Sequence, residues 1–160
     1  DAVDLLEAAE KIHPGDAGLL TDLAFLHLQL AVGSDDNVQK RLGRARVLNQ
    51  RAAYLAPRQP EAHAGLAAVL ERSGEFDKAL DSVNRALATA PGCDYRGQRG
   101  TILYRLGRRA EARSELQAAL LDCPEMLDAL NALGAKPRDL VEILQAIDAS
   151  GALQGELEVL

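Results

Sequence analysis

Tryptophan is absent from the 160 residues, and the aromatic complement is two Phe and three Tyr. Any core must therefore be aliphatic, and Ala and Leu are the residues in supply. Two cysteines are too few for a disulfide-dense scaffold. A chain of this length buries roughly 70% of its unfolded surface, so it folds without needing cross-links or metal. No apolar run approaches the roughly 20 residues of a membrane-spanning helix. No basic-then-apolar leader opens the chain. Asp1 stands where an initiating Met would, which reads as a fragment or processed form and leaves the compartment open. Period-two alternation is missing, and with it the case for strands. Gly92, Gly97 and Gly100 are too sparse for a phosphate loop and follow no strand. His13, His27 and His63 are scattered without metal-ligand spacing. Catalysis needs acid, base or nucleophile groups that converge, and none are seen. The expectation is a non-enzymatic protein that carries no cofactor and no metal.

What is present is unevenly charged. Residues 1–39 hold eight acids against Lys11, a balance of -7. Residues 40–124 hold fifteen bases against nine acids, and residues 125–160 seven acids against Lys136 and Arg138. An acidic–basic–acidic layout lacks the continuous basic field that nucleic acid wants. Tyr95 and Tyr104 are the rings nearest the Arg cluster, too few for stacking on bases. The layout permits an acidic ligand at the middle, or contact between the ends of one copy and the middle of another.

Recurrence carries most of the information. Leu70, Gly74, Ala79, Ala86 and Pro91 return 33 residues later as Leu103, Gly107, Ala112, Ala119 and Pro124. Ala45, Ala52 and Pro57 precede Ala79, Ala86 and Pro91 by 34, and Ala2, Ala9 and Pro14 precede them by a further 43. One repeat thus carries nine extra residues, around Gly33–Asn37. Within a unit, Leu66, Ala67 and Leu70 follow helical spacing over Pro60–Ser73. Gly74 breaks that helix. Ala79, Leu80, Val83, Ala86 and Leu87 resume the period until Pro91 stops it. Each unit therefore predicts two antiparallel helices, with small Ala side chains where they cross closely.

At these residues the chain resembles the tetratricopeptide repeat (TPR) family, whose signature runs W-x2-L-G-x2-Y, A-x3-F, Ala, Pro. His63, Leu66, Ala67 and Leu70, then Ala79, Val83, Ala86 and Pro91, fill it in one unit. Leu20, Leu23, Ala24 and His27 open the unit before, and Arg96, Arg99, Gly100 and Leu103 the unit after. Arg99 and Asn49 depart from the pattern, which predicts looser or locally polar packing there. The resemblance implies an all-α fold, a right-handed superhelical solenoid of antiparallel helical hairpins with C-terminal capping helices. The expected organisation is 1–14 as the second helix of a partial repeat, 15–59 as a repeat with the insertion, and 60–92 and 93–126 as repeats. Pro137 breaks the pattern, so 127–160 reads as a degenerate half-repeat followed by capping helices. The acidic face of 138–149 keeps a partner-binding or dimerising helix as the alternative.

First helices line the inside of such a stack. In this register the groove is expected to expose Thr21, Phe25 and Leu28, then Ala64, Ala68, Glu71 and Arg72. It continues with Gly97, Thr101, Tyr104 and Arg105, and ends at Asn131. Such a face suits an extended peptide or partner helix. One TPR subgroup grips a chaperone's terminal carboxylate with Lys, Asn and Arg. Here those places hold Thr21, Phe25, Ala64, Gly65, Asp94 and Gln98, so that clamp is absent. The resemblance implies an adaptor for a protein or peptide, and the Arg cluster at 96–113 permits an acidic one. Pairing of those arginines with Glu111, Glu115 and Asp94 is the competing reading. The alternatives to an adaptor are a recruitment segment of a larger bacterial enzyme or of a secretion or polysaccharide-export machine, and a self-assembling scaffold. Neither nucleic acid nor a membrane span is expected, and a homo-oligomer stays open. Cys93 begins one helix of a hairpin and Cys123 ends the other, so the two lie at the same end. They are either disulfide-linked or two reduced, half-buried thiols.

Overall fold

The computed structural model describes residues 2–32 and 36–124. They form seven helices and, among the described residues, no strand. These are α1 (Ala2–Ile12), α2 (Ala17–Leu30), α3 (Asp36–Leu55), α4 (Pro60–Arg72), α5 (Phe76–Thr89), α6 (Cys93–Arg105) and α7 (Arg109–Asp122). None is long and apolar enough to cross a membrane. The chain divides into two compact units, 1–91 with α1–α5 and 92–160 with α6 and α7. The expected half-repeat and caps of 127–160 lie outside the described residues, as does Asn131.

Local chemistry sets the helix ends. Asp16 caps α2 by accepting the Leu19 amide at 3.1 Å. Pro60 opens α4, where its missing amide costs nothing. Gly74 and Gly107 both sit at φ 78°, where a Cβ would be strained. Each closes its helix with a paired turn: Glu75 donates to the Leu70 carbonyl at 2.9 Å and Arg108 to that of Leu103 at 3.0 Å. The nine-residue insertion is mostly absorbed as helix. The second helix α3 runs 20 residues where α5 and α7 run 14, and its added turns bury Val38.

In the first unit α3 packs on both α2 and α4, and α1 packs on α2. Leu20, Leu23 and Ala24 of α2 meet Leu42, Ala45, Leu48 and Ala52 of α3 in one buried cluster, which Ala62 and Val69 of α4 extend. Val3 and Leu6 bring α1 onto it. Ions add to the attachment. The Glu10 carboxylate on α1 takes Arg44 at 2.5 Å and Arg51 at 3.5 Å, both from α3. Arg46 of α3 and Lys78 of α5 converge on Glu75. Hydrogen bonds from Lys78 and then Arg46 hold that carboxyl below the usual range.

The two departures from the repeat pattern put polar side chains inside the packing. Asn49 is 2% exposed and lies over Gly65. A Cβ at residue 65 would come within 2.5 Å of Asn49 Oδ1, so glycine there makes room for asparagine. Arg99 of α6 pairs with Glu115 of α7 at 2.5 Å. In the same hairpin Gly100 admits Leu116: a Cβ at 100 would stand 2.5 Å from its Cγ.

His27 on α2 fills the slot that Leu70 and Leu103 occupy in the later units, and is 7% exposed. Burial lowers its pKa below the ordinary 6.5. The nearby Glu7, 3.7 Å away, and Glu10 pull the other way, while Arg41 and Arg44 act with burial. The unfolded histidine takes a proton near pH 6.5 and the folded one only at lower pH. Stability from this group is thus complete above about pH 6.5 and declines as pH falls from there toward the folded value.

Two outcomes follow from the packing. Gly100→Ala should lower stability by about 1–3 kcal/mol in urea unfolding, since the displaced atom is the Leu116 branch carbon and not a free chain end. Leu116→Val in the same chain should recover part of that loss, and strictly additive effects would show that the two residues do not compete for space. His27→Leu should flatten the stability profile just below pH 6.5; an unchanged profile would assign that slope to other groups.

Candidate functional site

The sequence expectation places a ladder of equivalent positions on the first helices. In the first unit its rungs differ in what they offer. Thr21 is buried, its hydroxyl donating to the Gly18 carbonyl at 2.7 Å and lying 3.0 Å from that of Ala17. Gln59 reaches the same hydroxyl at 3.4 Å. Leu28 belongs to the buried cluster. Arg72 turns back onto α2, where its guanidinium donates to the Leu28 carbonyl at 2.8 Å and to that of Ala31. It thereby satisfies carbonyls that the end of a helix leaves open. Phe25 stands 61% exposed on α2. Ala64, Ala68 and Glu71 are half-buried on α4, with Ala68 packed against the core. What the unit presents is one large ring, two small side chains and one carboxylate.

In the second unit Gly97 is buried, and Thr101 donates its hydroxyl to the Gln98 carbonyl at 2.8 Å. Tyr104 is half-buried, with the Arg109 guanidinium 6.0 Å from its ring centre. That is the outer limit of a useful cation–π contact. Arg105 is exposed. Much of the Arg cluster is already engaged. Arg108 makes two hydrogen bonds to Glu111, at 2.7 and 2.6 Å, and these hold the Glu111 carboxyl below its ordinary range. Arg99 pairs with Glu115, and Arg96 with Asp122 at 3.1 Å rather than with the nearer-in-sequence Asp94. Arg105 and Arg113 remain as exposed members of the cluster.

A concavity lies apart from those first-helix positions. An open pocket of about 550 Å³ lies among α3, α4 and α5. Tyr54, Ala53 and Pro57 form one wall, Arg85, Ala88 and Thr89 another, with His63, Leu66 and Ser82 between. His63 is buried and donates through Nε2 to the Pro57 carbonyl at 3.0 Å, which fixes it as a structural group. Tyr54 is 85% exposed. The available signal was an outward Tyr flanked by small side chains on two successive second helices. Among the described residues no three His, Cys, Asp or Glu side chains gather as metal ligands.

Comparison with solved structures gives the fold. TTC0263, a TPR protein of the thermophile Thermus thermophilus, superposes with a TM-score of 0.73 at 23% identity, over 91% of this chain and 71% of that one. MamA matches with a TM-score of 0.67 at 15% identity, over 95% and 90%. YrrB, described as a TPR protein with an unusual peptide-binding site, matches at 0.54 and 19% identity, over 89% and 91%. The chain has the TPR fold, an all-α array of antiparallel helical hairpins.

Sequence comparison points elsewhere for the last third. Residues 109–159 match the family model of the flagellar P-ring protein. The P-ring protein of Paramagnetospirillum magneticum is 67% identical over 36 residues, 22% of this chain and 9% of that protein. That of Bdellovibrio bacteriovorus is 42% identical over 64 residues, 38% and 19% respectively. The chain thus spans less than a fifth of the length of either relative. The match begins with α7, so that helix is both the second helix of a hairpin and the start of the P-ring-like stretch.

Proposed function

We propose that this chain is a non-catalytic adaptor whose first-helix faces hold an extended peptide or a helix of another protein. The observation that carries the reading is Phe25. Its large ring is left 61% exposed on α2, whereas Leu20, Leu23 and Leu28 of the same helix are buried. Aromatic anchors of this kind dominate the energetics of protein interfaces. Ala64 and Ala68, at the equivalent positions of the next hairpin, leave room for a backbone to approach. The TPR fold supports an interaction role, since its hairpins expose long helix faces without enclosing a reaction chamber. An acidic ligand fits the first unit poorly, because Arg72 is spent on the carbonyls at the end of α2. Arg105 in the second unit is where acidity would be read. Self-assembly through opposite charges is less favoured, because Glu10 already meets Arg44 and Arg51 within one unit.

A second reading has its own support. The P-ring match over 109–159 favours a chain that serves a larger bacterial assembly, with that stretch as its attachment to a P-ring protein. The partner of the adaptor and the assembly would then be joined through different parts of the chain.

For the first reading, an array of immobilised peptides of mixed charge serves as the probe. Phe25→Ala should weaken the bound peptides about tenfold, or about 1.4 kcal/mol, with helicity retained. Tyr104→Ala with Arg105→Ala should act preferentially on acidic peptides. Affinity untouched by either variant would remove the first-helix faces as the site. For the second reading, purified P-ring protein should co-elute with this chain in size exclusion. Separate elution at micromolar concentrations of both would discard the attachment.

A further inference from the structure

The second unit closes differently from the hairpins of the first. Its helix α6 begins Cys93-Asp94-Tyr95-Arg96-Gly97-Gln98-Arg99-Gly100-Thr101, nine residues without one aliphatic side chain. The aliphatic core from α6 starts only with Ile102 and Leu103. The matching stretch of α4 supplies Ala62, Leu66 and Ala67. Across from the poor end of α6, helix α7 still presents Leu116 and Ala119, with Leu120 partly buried beside them. What meets them is Cys93 and Cys123. The two cysteines have Cα atoms 6.1 Å apart and their sulfurs are bonded, across a separation of 30 residues. Among the described residues no cysteine is free. The neighbouring cross-helix contact, Arg96 with Asp122, is solvent-exposed on both sides and holds little.

We infer that Cys93 and Cys123 are an oxidation site, where a structural disulfide formed in an oxidising compartment closes the end of the α6/α7 hairpin that apolar packing leaves open. The bond has a second consequence. Cys123 lies inside the P-ring-like stretch, and Cys93 lies before it. The link therefore ties the start of that stretch to a helix outside it, independently of what the first-helix faces bind. The chemistry is thiol–disulfide exchange. One cysteine thiolate attacks the disulfide of a dithiol–disulfide oxidant and expels one of its sulfurs as thiolate. The second cysteine, deprotonated, attacks the mixed disulfide and releases the other sulfur. The chain loses two protons and two electrons, and the oxidant leaves as the reduced dithiol. Compartments that keep thiols reduced do not sustain such a bond in ordinary proteins.

The test uses the full chain exported to the periplasm of a bacterial host. Under denaturing conditions without reductant it should show no reactive thiol and weigh two hydrogen atoms less than the reduced chain. Adding reductant should lower the thermal midpoint by roughly 10 °C. The Cys93→Ser, Cys123→Ser double variant should melt at the reduced temperature and ignore reductant. Two titratable thiols in the exported chain, or a midpoint unmoved by reduction, would overturn the assignment. The reductant arm decides the matter even where the double variant does not fold.

Discussion

Everything in these hairpins depends on how closely two helices can approach. Ala45, Ala79 and Ala112 are almost wholly buried at the same place on three successive second helices, and Ala52, Ala86 and Ala119 two turns later. A methyl group at each crossing lets backbones come near enough for the flanking Leu and Val side chains to interdigitate. In two places even a methyl is too large. Gly65 gives way to Asn49, and Gly100 to Leu116. Interiors are packed like crystals, so these sites tolerate little change in volume. The dependence on small residues also explains how a chain with 3% aromatics folds at all. Area is gained by proximity and not by large side chains.

That economy shapes what is left for function. When small residues and a few leucines build the core, an exposed aromatic ring outside it stands out. Phe25 and Tyr54 are both in this position, on opposite types of helix. The first lies on a first-helix face and the second at the mouth of a pocket between second helices. Charged residues, by contrast, are mostly consumed. Glu10, Glu75, Glu111 and Glu115 each hold an arginine, and Arg72 holds the carbonyls at the end of α2. The basic middle and acidic start of the chain therefore partly neutralise one another through contacts inside the first unit.

Much of the fold was legible because period and punctuation act locally. Recurrent Ala and Pro, with Gly at the turns, marked a helix whose ends fall within a residue of those expected for α4. The insertion was visible as an offset of 43 against 34. That it lengthens α3 was not, since nothing in Gly33–Asn37 announces a helix and the added turn is stabilised by tertiary burial of Val38. The site was less legible. Register alone put Thr21, Leu28 and Arg72 on an open face, yet the first two are buried and the third is drawn to carbonyls 41 and 44 positions away in sequence. Such long-range hydrogen bonds leave no periodic trace. The pocket at Tyr54 needs three helices to exist, and so could not be seen from any one. The likeness of 109–159 to P-ring proteins rests on residue identity rather than on spacing, and repeat arithmetic is blind to it.

The central claim is that partner polypeptide lies against the first helices, over crossings made tight by small residues. Amide hydrogen exchange of the chain with and without a bound peptide reads this directly. Binding should slow exchange in α2 and α4 around Phe25 and Ala68, and leave α3 and α5 as they were. Slowing confined to the helices around Tyr54, with α2 untouched, would contradict it.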